Sequence, residues 1–494
     1  MRDTCLPPEA VSAATETARA PAALRSAAGA RRGAVLKALS GLVFAGALSA
    51  CTVTPPPEAP TTRASSAAIA LPLADPTLGA RDPVPRAGLP SNAALTRDFL
   101  ELSFALESGR ALPRFTRFEG PISITLSGPV PATAPRELER LVARLRSEAG
   151  LDISTGAGAA NRITVEFVPK RQMQAEVPNA ACFVVPNVTG WADYRAARRT
   201  PRADWAALAT RTAATVFVPS DSAPQEVRDC LHEEISQALG PLNDLYRLPD
   251  TVWNDDNFHT VLTRYDMTIL RASYAPELRS GMSQPEVAAA LPKVFARINP
   301  AGGAVAHLRE DPTPRPYIAA IERALGAKAR GARRTAAAQE AVQIAAGQGW
   351  TDTRAGFAWF ALGRLSMKDD PQTALRAFLN AGAIYRATPG AGIQAAHVDM
   401  QLAAFALSAG RAQDAIALVN RSLSAALEEE NAALMATLYL IRAEAYETLG
   451  HTAEAAQARL DSAQWARYGF GSDAAVRARA AEVAALADAG ARMN

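Results

Sequence analysis

The sequence predicts an α+β domain, with a mixed sheet and one motif-bearing helix, followed by an all-α array of repeated helix pairs. Three observations carry this prediction. Between residues 120 and 220, short β-forming segments lie between glycine and proline stops, and a helical pattern separates the first from the second. Residues 223 to 239 read as one helix with turn residues at both ends. Beyond residue 335 the chain is almost wholly helix-forming and alanine-rich, and three similar segments recur at a nearly fixed period.

The chain has 494 residues, enough for two or three domains with proper cores. Its formal charge is +3, but residues 1–50 hold six Lys/Arg and three Asp/Glu, which accounts for the whole excess. No basic face is left over for nucleic acid. In the N-terminal segment Arg31, Arg32 and Lys37 precede the apolar run "ALSGLVFAGALSA", which stops at Cys51. Such a run is too short to span a bilayer and has the layout of an export signal. Leu48-Ser49-Ala50-Cys51 resembles the lipobox of bacterial lipoproteins. The resemblance implies cleavage after residue 50 and lipidation of Cys51, so residues 1–50 are expected to be a signal peptide. The chain would then be lipid-anchored and periplasm-facing. Thr52, where an aspartate would favour inner-membrane retention, points to the outer membrane. Val35, read from a GTG codon, is an alternative start that gives a compact signal of residues 35 to 50.

Four cysteines are present. Cys5 leaves with the signal and Cys51 carries lipid, so Cys182 and Cys230 remain in an oxidising compartment. A disulfide between them is expected, with two buried thiols as the alternative. Residues 51–92, rich in Pro, Ala, Thr and Ser, read as a tether; in an extended polyproline state it reaches on the order of 100 Å.

The α/β domain is expected over 93–290. It opens on an amphipathic helix in "LTRDFLELSFALESG". Strands follow at 120–128, 162–169, "ACFVVP" and "TAATVFVPS", with the helix "APRELERLVARLRSEAG" after the first of them. In "SAPQEVRDCLHEEISQALGP" Ser222 can N-cap the helix, Gln225 can complete a capping box, and Pro224 is tolerated in the first turn. Gly240 suits C′ and Pro241 blocks continuation. A further helix is expected at about 260–274, then another from the capped start "GMSQPEVAAAL". Residues 291–335 read as a connecting segment and 336–490 as helical repeats. In the repeats Ala374, Ala415 and Ala455 occupy equivalent places on three second helices, 41 and 40 residues apart. "YLIRAEAYETLGHTAEAAQA" resembles a tetratricopeptide repeat, with Tyr439, Ala443, Tyr446, Gly450 and Ala455 at that family's spacing. The longer period implies longer helices or a variant array. Such solenoids present surfaces to protein partners, here other envelope proteins.

The segment "LHEEISQALGPLND" (231–244) admits two alignments with a zinc-binding HExxHxxGxxHD pattern. Starting at His232, the second histidine falls on Ser236. Starting at Glu233, the spacing fits throughout, but the three ligand positions hold Glu233, Gln237 and Asn243, and only Glu234 keeps the general-base residue. At about 100° per residue, His232 lies with Leu231, Ile235 and Leu239 on the core-facing stripe. Glu233 and Gln237 share the opposite polar face, with Cys230 beside them. The second alignment therefore resembles a degenerate metzincin, one whose carboxylate and amides would hold zinc poorly. The order of strands and helices, and "LTRYDMTILRASYAPELRSGM" with Met267 and Met282, resemble the same family. A cysteine, an EExxQ helix ending in Leu-Gly and an Asn-Asp pair together resemble an uncharacterised bacterial envelope family over roughly 93–290. That likeness implies a metzincin-like (zincin-like) fold without known activity. A solvated helix face in an unrelated domain is the plainer alternative.

Asp244, Asp250, Asp255 and Asp256 form an acidic stretch without EF-hand spacing, which reads as a solvated loop. His259 is too isolated in sequence to build a zinc triad. Serine-nucleophile motifs and phosphate-binding glycine loops are absent. The expected function is a non-catalytic, membrane-anchored envelope lipoprotein with no cofactor and no metal. The alternative is a peptidase or peptidoglycan hydrolase with Glu234 as general base and zinc held unconventionally.

Overall fold

A computed structural model describes residues 88–178, 180–256, 258–303, 311–326 and 330–491. The signal segment, Cys51 and the tether as far as residue 87 lie outside them. All described residues belong to one compact unit. Among them no helix is long and apolar enough to cross a membrane.

The first part opens with α1 (Asn92–Ser103), capped by the Ser91 hydroxyl on the Ala94 amide. Strand β1 (Ile122–Ser127) leads into α2 (Ala134–Glu148), and β2 (Ile153–Thr155) and β3 (Asn161–Val168) follow. Short helices α3 (Lys170–Glu176) and α4 (Trp191–Ala197) flank β4 (Phe183–Pro186), and β5 (Ala213–Pro219) runs directly into α5 (Pro224–Leu239). Helices α6 (Arg264–Ser273) and α7 (Gln284–Ile298) complete this part. The sheet order is β2-β1-β3-β5-β4. The first four strands are parallel, and the edge strand β4 is antiparallel to β5, with Val184 opposite Val216. The sheet is thus mixed, as expected. All four expected strands form; β2 has three residues, too few to show a period.

Helices α1, α2, α5, α6 and α7 bury one apolar core against the sheet, with Phe99, Leu141, Val165, Leu231, Ile235, Ile269 and Phe295 at its centre. On the other face Phe183, Trp191, Tyr194 and Phe217 form an aromatic cluster beside β4. The capping box expected before α7 is made by Ser283 and Glu286.

The second part is entirely helical. Helix α8 (Arg315–Leu325) packs on α9 (Ala332–Gly347), so helical packing begins inside the expected connecting segment, and α7 extends into it as well. Three antiparallel pairs follow: α10 (Thr353–Ser366) with α11 (Pro371–Ala387), α12 (Gly392–Ser408) with α13 (Ala412–Glu428), and α14 (Ala432–Thr448) with α15 (Thr452–Phe470). Ala374, Ala415 and Ala455 lie on the second helix of each pair and are wholly buried. Small residues there let the helices approach. On α10 a Cβ at Gly356 would meet the Tyr385 ring at 2.7 Å, and one at Gly363 the Phe378 ring at 2.8 Å. The last helix, α16 (Asp473–Ala491), lies along α12 and α14, the first helices of their pairs.

The two parts share a core. Phe258 of the α5–α6 loop stacks against Phe357, Phe360 and Tyr385 of the array, and Tyr246 meets Tyr317. The array is therefore packed onto the α/β domain rather than joined by a free linker.

Candidate functional site

Helix α5 forms because its apolar residues recur at 3.6-residue spacing and Pro224 fixes its first turn. Its termini differ from expectation. The N-cap is Ala223, with no side-chain cap bond. Gln225 instead reaches α14: its amide donates to Asn431 Oδ1 at 3.2 Å, and its carbonyl accepts from the Ala433 amide at 2.8 Å. A tertiary partner has taken the side chain that a local capping box would use. At the other end Gly240 has φ −150°, outside the left-handed region. Glycine serves there for closeness, since a Cβ would lie 3.2 Å from Leu270. The terminal carbonyls of Gln237, Ala238 and Gly240 are taken by the buried guanidinium of Arg211 at 2.7–2.8 Å. Burial lowers the Arg211 pKa to about 10, and the ring of Trp205 lies against it. Nothing in the local pattern around residue 211 announces this role.

His232 faces the core as the helical spacing requires. Its Nδ1 accepts from the Leu262 amide at 3.0 Å, and burial holds the ring well below its usual pKa, hence neutral. Ser236 accepts from the Trp253 indole at 2.9 Å. The alignment starting at His232 is thus spent on packing.

The opposite face is polar but not solvated, which corrects the expectation of a solvated helix face. Gln237 is 6% exposed and donates to Glu107 at 3.3 Å. Glu233 is half-buried and Glu234 buried. The Cys182–Cys230 disulfide forms as expected, tying the start of β4 to this face. Cys182 Sγ lies within 4.8 Å of carboxylate oxygens of Glu233 and Glu234. Asn243 turns away to donate to the Glu101 carbonyl at 3.0 Å. Asp244, the next residue, joins the acidic set instead.

That set is a cluster of carboxylates: Glu107, Asp255 and Glu322 are exposed, Glu233 and Asp244 half-buried and Glu234 buried. Burial first, then the charges of Asp255, Glu107 and Asp229, raise Glu233 to about 8. Burial, then Glu233 and Glu107, push Glu234 well above the carboxylate range. Burial, then Glu107 and Asp255, do the same to Asp244. Burial raises Asp255 to about 7, partly offset by its bond from the Tyr246 hydroxyl. Every charge named here is an anion. Glu234 Oε2 and Asp244 Oδ1 are buried without a hydrogen-bond partner. The acidic stretch 244–256 is therefore built into the fold rather than dissolved off it.

A catalytic zinc does not fit this donor set. Cys182 cannot be a thiolate within a disulfide, Gln237 and Asn243 are committed elsewhere, and no imidazole is offered, since His232 faces the core. Met267 and Met282 are core residues, 3% and 8% exposed. Asp266 opens α6 in a capping box with Thr263.

Beside the cluster α5 joins the array. Arg228, 2% exposed, bonds Asp229 at 2.9 Å, the Glu430 carbonyl at 3.0 Å and Thr260 at 2.8 Å. Gln394 of α12 donates to the Pro249 carbonyl and to Asp256. His259, isolated in sequence, has Asp250 and Glu429 beside it in space.

Comparison with known proteins is narrow. No curated protein and no solved structure matches the chain. Residues 92–293, nearly the extent expected of the α/β domain, match a family described as Protein of unknown function (DUF2927).

Proposed function

We propose that this chain is a lipid-anchored envelope protein whose α/β domain is a zinc-peptidase scaffold turned to binding. Its tetratricopeptide-like helix pairs hold that domain and engage other envelope proteins. The observation that carries the reading is the cluster beside α5, where six carboxylates gather while the helix's one histidine faces the core. The mixed sheet with its antiparallel edge strand, leading directly into the motif helix, supports a metzincin-like origin. The cluster's chemistry suits a cationic group, such as a lysine or arginine side chain of a partner segment, and does not suit water activation. The array's first-helix face beside α12 and α14 is covered by α16. Partners would therefore meet its outer helices, where Leu379 and Leu460 are 50% and 48% exposed.

Three experiments test this. Full-length protein should not hydrolyse casein or peptidoglycan, with or without zinc; hydrolysis abolished by Glu234→Gln would establish the enzyme reading instead. Globomycin, or Cys51→Ser, should leave an unprocessed precursor, and an unchanged mature N-terminus beyond residue 51 would sink the lipid anchor. Glu233→His, Gln237→His and Asn243→His together should add one zinc equivalent over the parent, with a zinc-dependent rise in melting temperature. A folded triple variant with no added zinc would mean that the three positions never formed one site.

A further inference from the structure

We infer that Asp250, His259 and Glu429 form a divalent-cation site that clamps the helical array onto the α/β domain. Asp250 and His259 come from the loop between α5 and α6, and Glu429 closes α13. One ligand atom from each lies within 4.8 Å of the other two. The His259 side chain is 1% exposed, and neither ring nitrogen has a hydrogen-bond partner. A buried imidazole is normally satisfied through at least one nitrogen; this ring instead lies beside the two carboxylates at ion-pair range, without a hydrogen bond to either.

The spacing is that of ligands, not of a hydrogen bond. His259 Nε2 lies 3.5 Å from Asp250 Oδ1. A charge-assisted bond would be about 2.7–2.9 Å. Two donors on one tetrahedral ion with bonds of about 2.0–2.1 Å are about 3.3 Å apart. The neighbouring Asp256 already accepts from Asn254, the Phe258 amide and Gln394, so it backs the site without being a ligand. Thr260 donates to the Glu429 carbonyl at 3.3 Å, which fixes that residue's backbone.

One imidazole and two carboxylates suit zinc or manganese. Asp250 is 23% exposed, so its solvent side leaves a position for water. The site is independent of the acidic cluster and of how that cluster functions. The other close grouping, Cys182 with Glu233 and Glu234, lacks a thiolate while the disulfide stands.

The test uses full-length protein in detergent, stripped with EDTA, dialysed and titrated with zinc chloride and manganese chloride by calorimetry at pH 8. One equivalent should bind at micromolar affinity or tighter, and the melting temperature should rise with metal concentration. His259→Gln should remove the binding, Asp250→Asn should weaken it at least tenfold, and Glu233→Gln should leave one equivalent. The cobalt-loaded protein should show visible bands of a nitrogen and oxygen site with no sulfur charge transfer. Folded wild-type protein that binds neither metal would overturn the inference, as would binding unaltered in Asp250→Asn or lost in Glu233→Gln. Asp250 is partly exposed, so its variant keeps the test decisive even where His259→Gln does not fold.

Discussion

Helix α5 has two buried faces of opposite chemistry. On one, Leu231, Ile235 and Leu239 are wholly buried among Val165, Ile269 and Trp253. On the other, Glu234 and Gln237 are 4% and 6% exposed, among carboxylates. Arg228, 2% exposed, is a polar group at the N-terminal end of the core-facing stripe, where it meets the array. Burial is nearly equal, but what it does to stability is not. The apolar face gains about 25 cal/mol per Å² removed from water and needs no particular partner. The polar face is stabilising only where each group is answered, and a group left unanswered costs more than the bond returned. The two faces should therefore respond differently to truncation, to redox state and to pH.

The largest effect is expected from Arg228→Ala. It strips the Asp229, Glu430 and Thr260 contacts and leaves Asp229 unpaired and only 27% exposed, where desolvation already lifts its pKa to about 6 despite the arginine. A loss of about 3–5 kcal/mol is expected, with earlier proteolytic cleavage between the parts. Further along the same stripe Ile235→Ala, at about 2–5 kcal/mol, should loosen the sheet domain without first freeing the array, because Ile235 packs in the apolar core and not on the array. Equal behaviour of the two variants in proteolysis would erase the contrast.

The disulfide comes next. It closes a loop of 48 residues, for which the chain-entropy relation gives roughly 4 kcal/mol. Thiol counting on denatured, unreduced protein should find neither cysteine free, and Cys182→Ser with Cys230→Ser should lower urea stability by that order.

A smaller effect tests the apolar face itself. Helical spacing alone suggests that His232→Leu is harmless, because it replaces a polar ring in a core. The Leu262 amide changes that expectation, since leucine leaves it without an acceptor. A cost of about 1–3 kcal/mol is expected, and a neutral outcome would mean that the amide finds another partner.

The smallest effect has the opposite sign. Glu233 is held at about 8 when folded, above its ordinary 4.5. A raised carboxylate favours the fold while protonated, so its contribution is complete below about pH 4.5 and fades as pH rises to about 8. Melting temperature should fall across that window, and Glu233→Gln should flatten the decline and raise stability by a few degrees near pH 8. Unchanged pH dependence would show that Glu233 is not the group responsible.

Much of the fold was legible because its causes are local. β3, β5 and α5 lie within a residue or two of where alternation and turn residues put them. The three periodic alanines are buried because a repeated helix pair must repeat its packing. Local pattern failed where a distant partner outbid it. Gln225 left its capping box for Asn431 and Ala433, and Arg211, 29 residues before Gly240, ends α5. The site was half legible. Spacing put Glu233, Gln237 and Cys230 on one face and His232 on the other. It could not show that Asn243 turns to α1 while Asp244 joins Glu234, because both follow the helix stop and no period governs them.

By itself the sequence determined the strands and helices, the hand of each α5 face, the cysteine pair and the helix-pair period. These follow from steric and hydrophobic rules that act over a few residues or one repeat. Only the tertiary structure decided that the array closes over the α/β domain. It also decided that an acidic stretch is drawn into a carboxylate cluster beside α5, and that His259 meets Glu429. Those outcomes rest on contacts between residues far apart in the chain. There the free energy of burying a charge depends on which partner the whole fold brings beside it, and no local pattern encodes that partner.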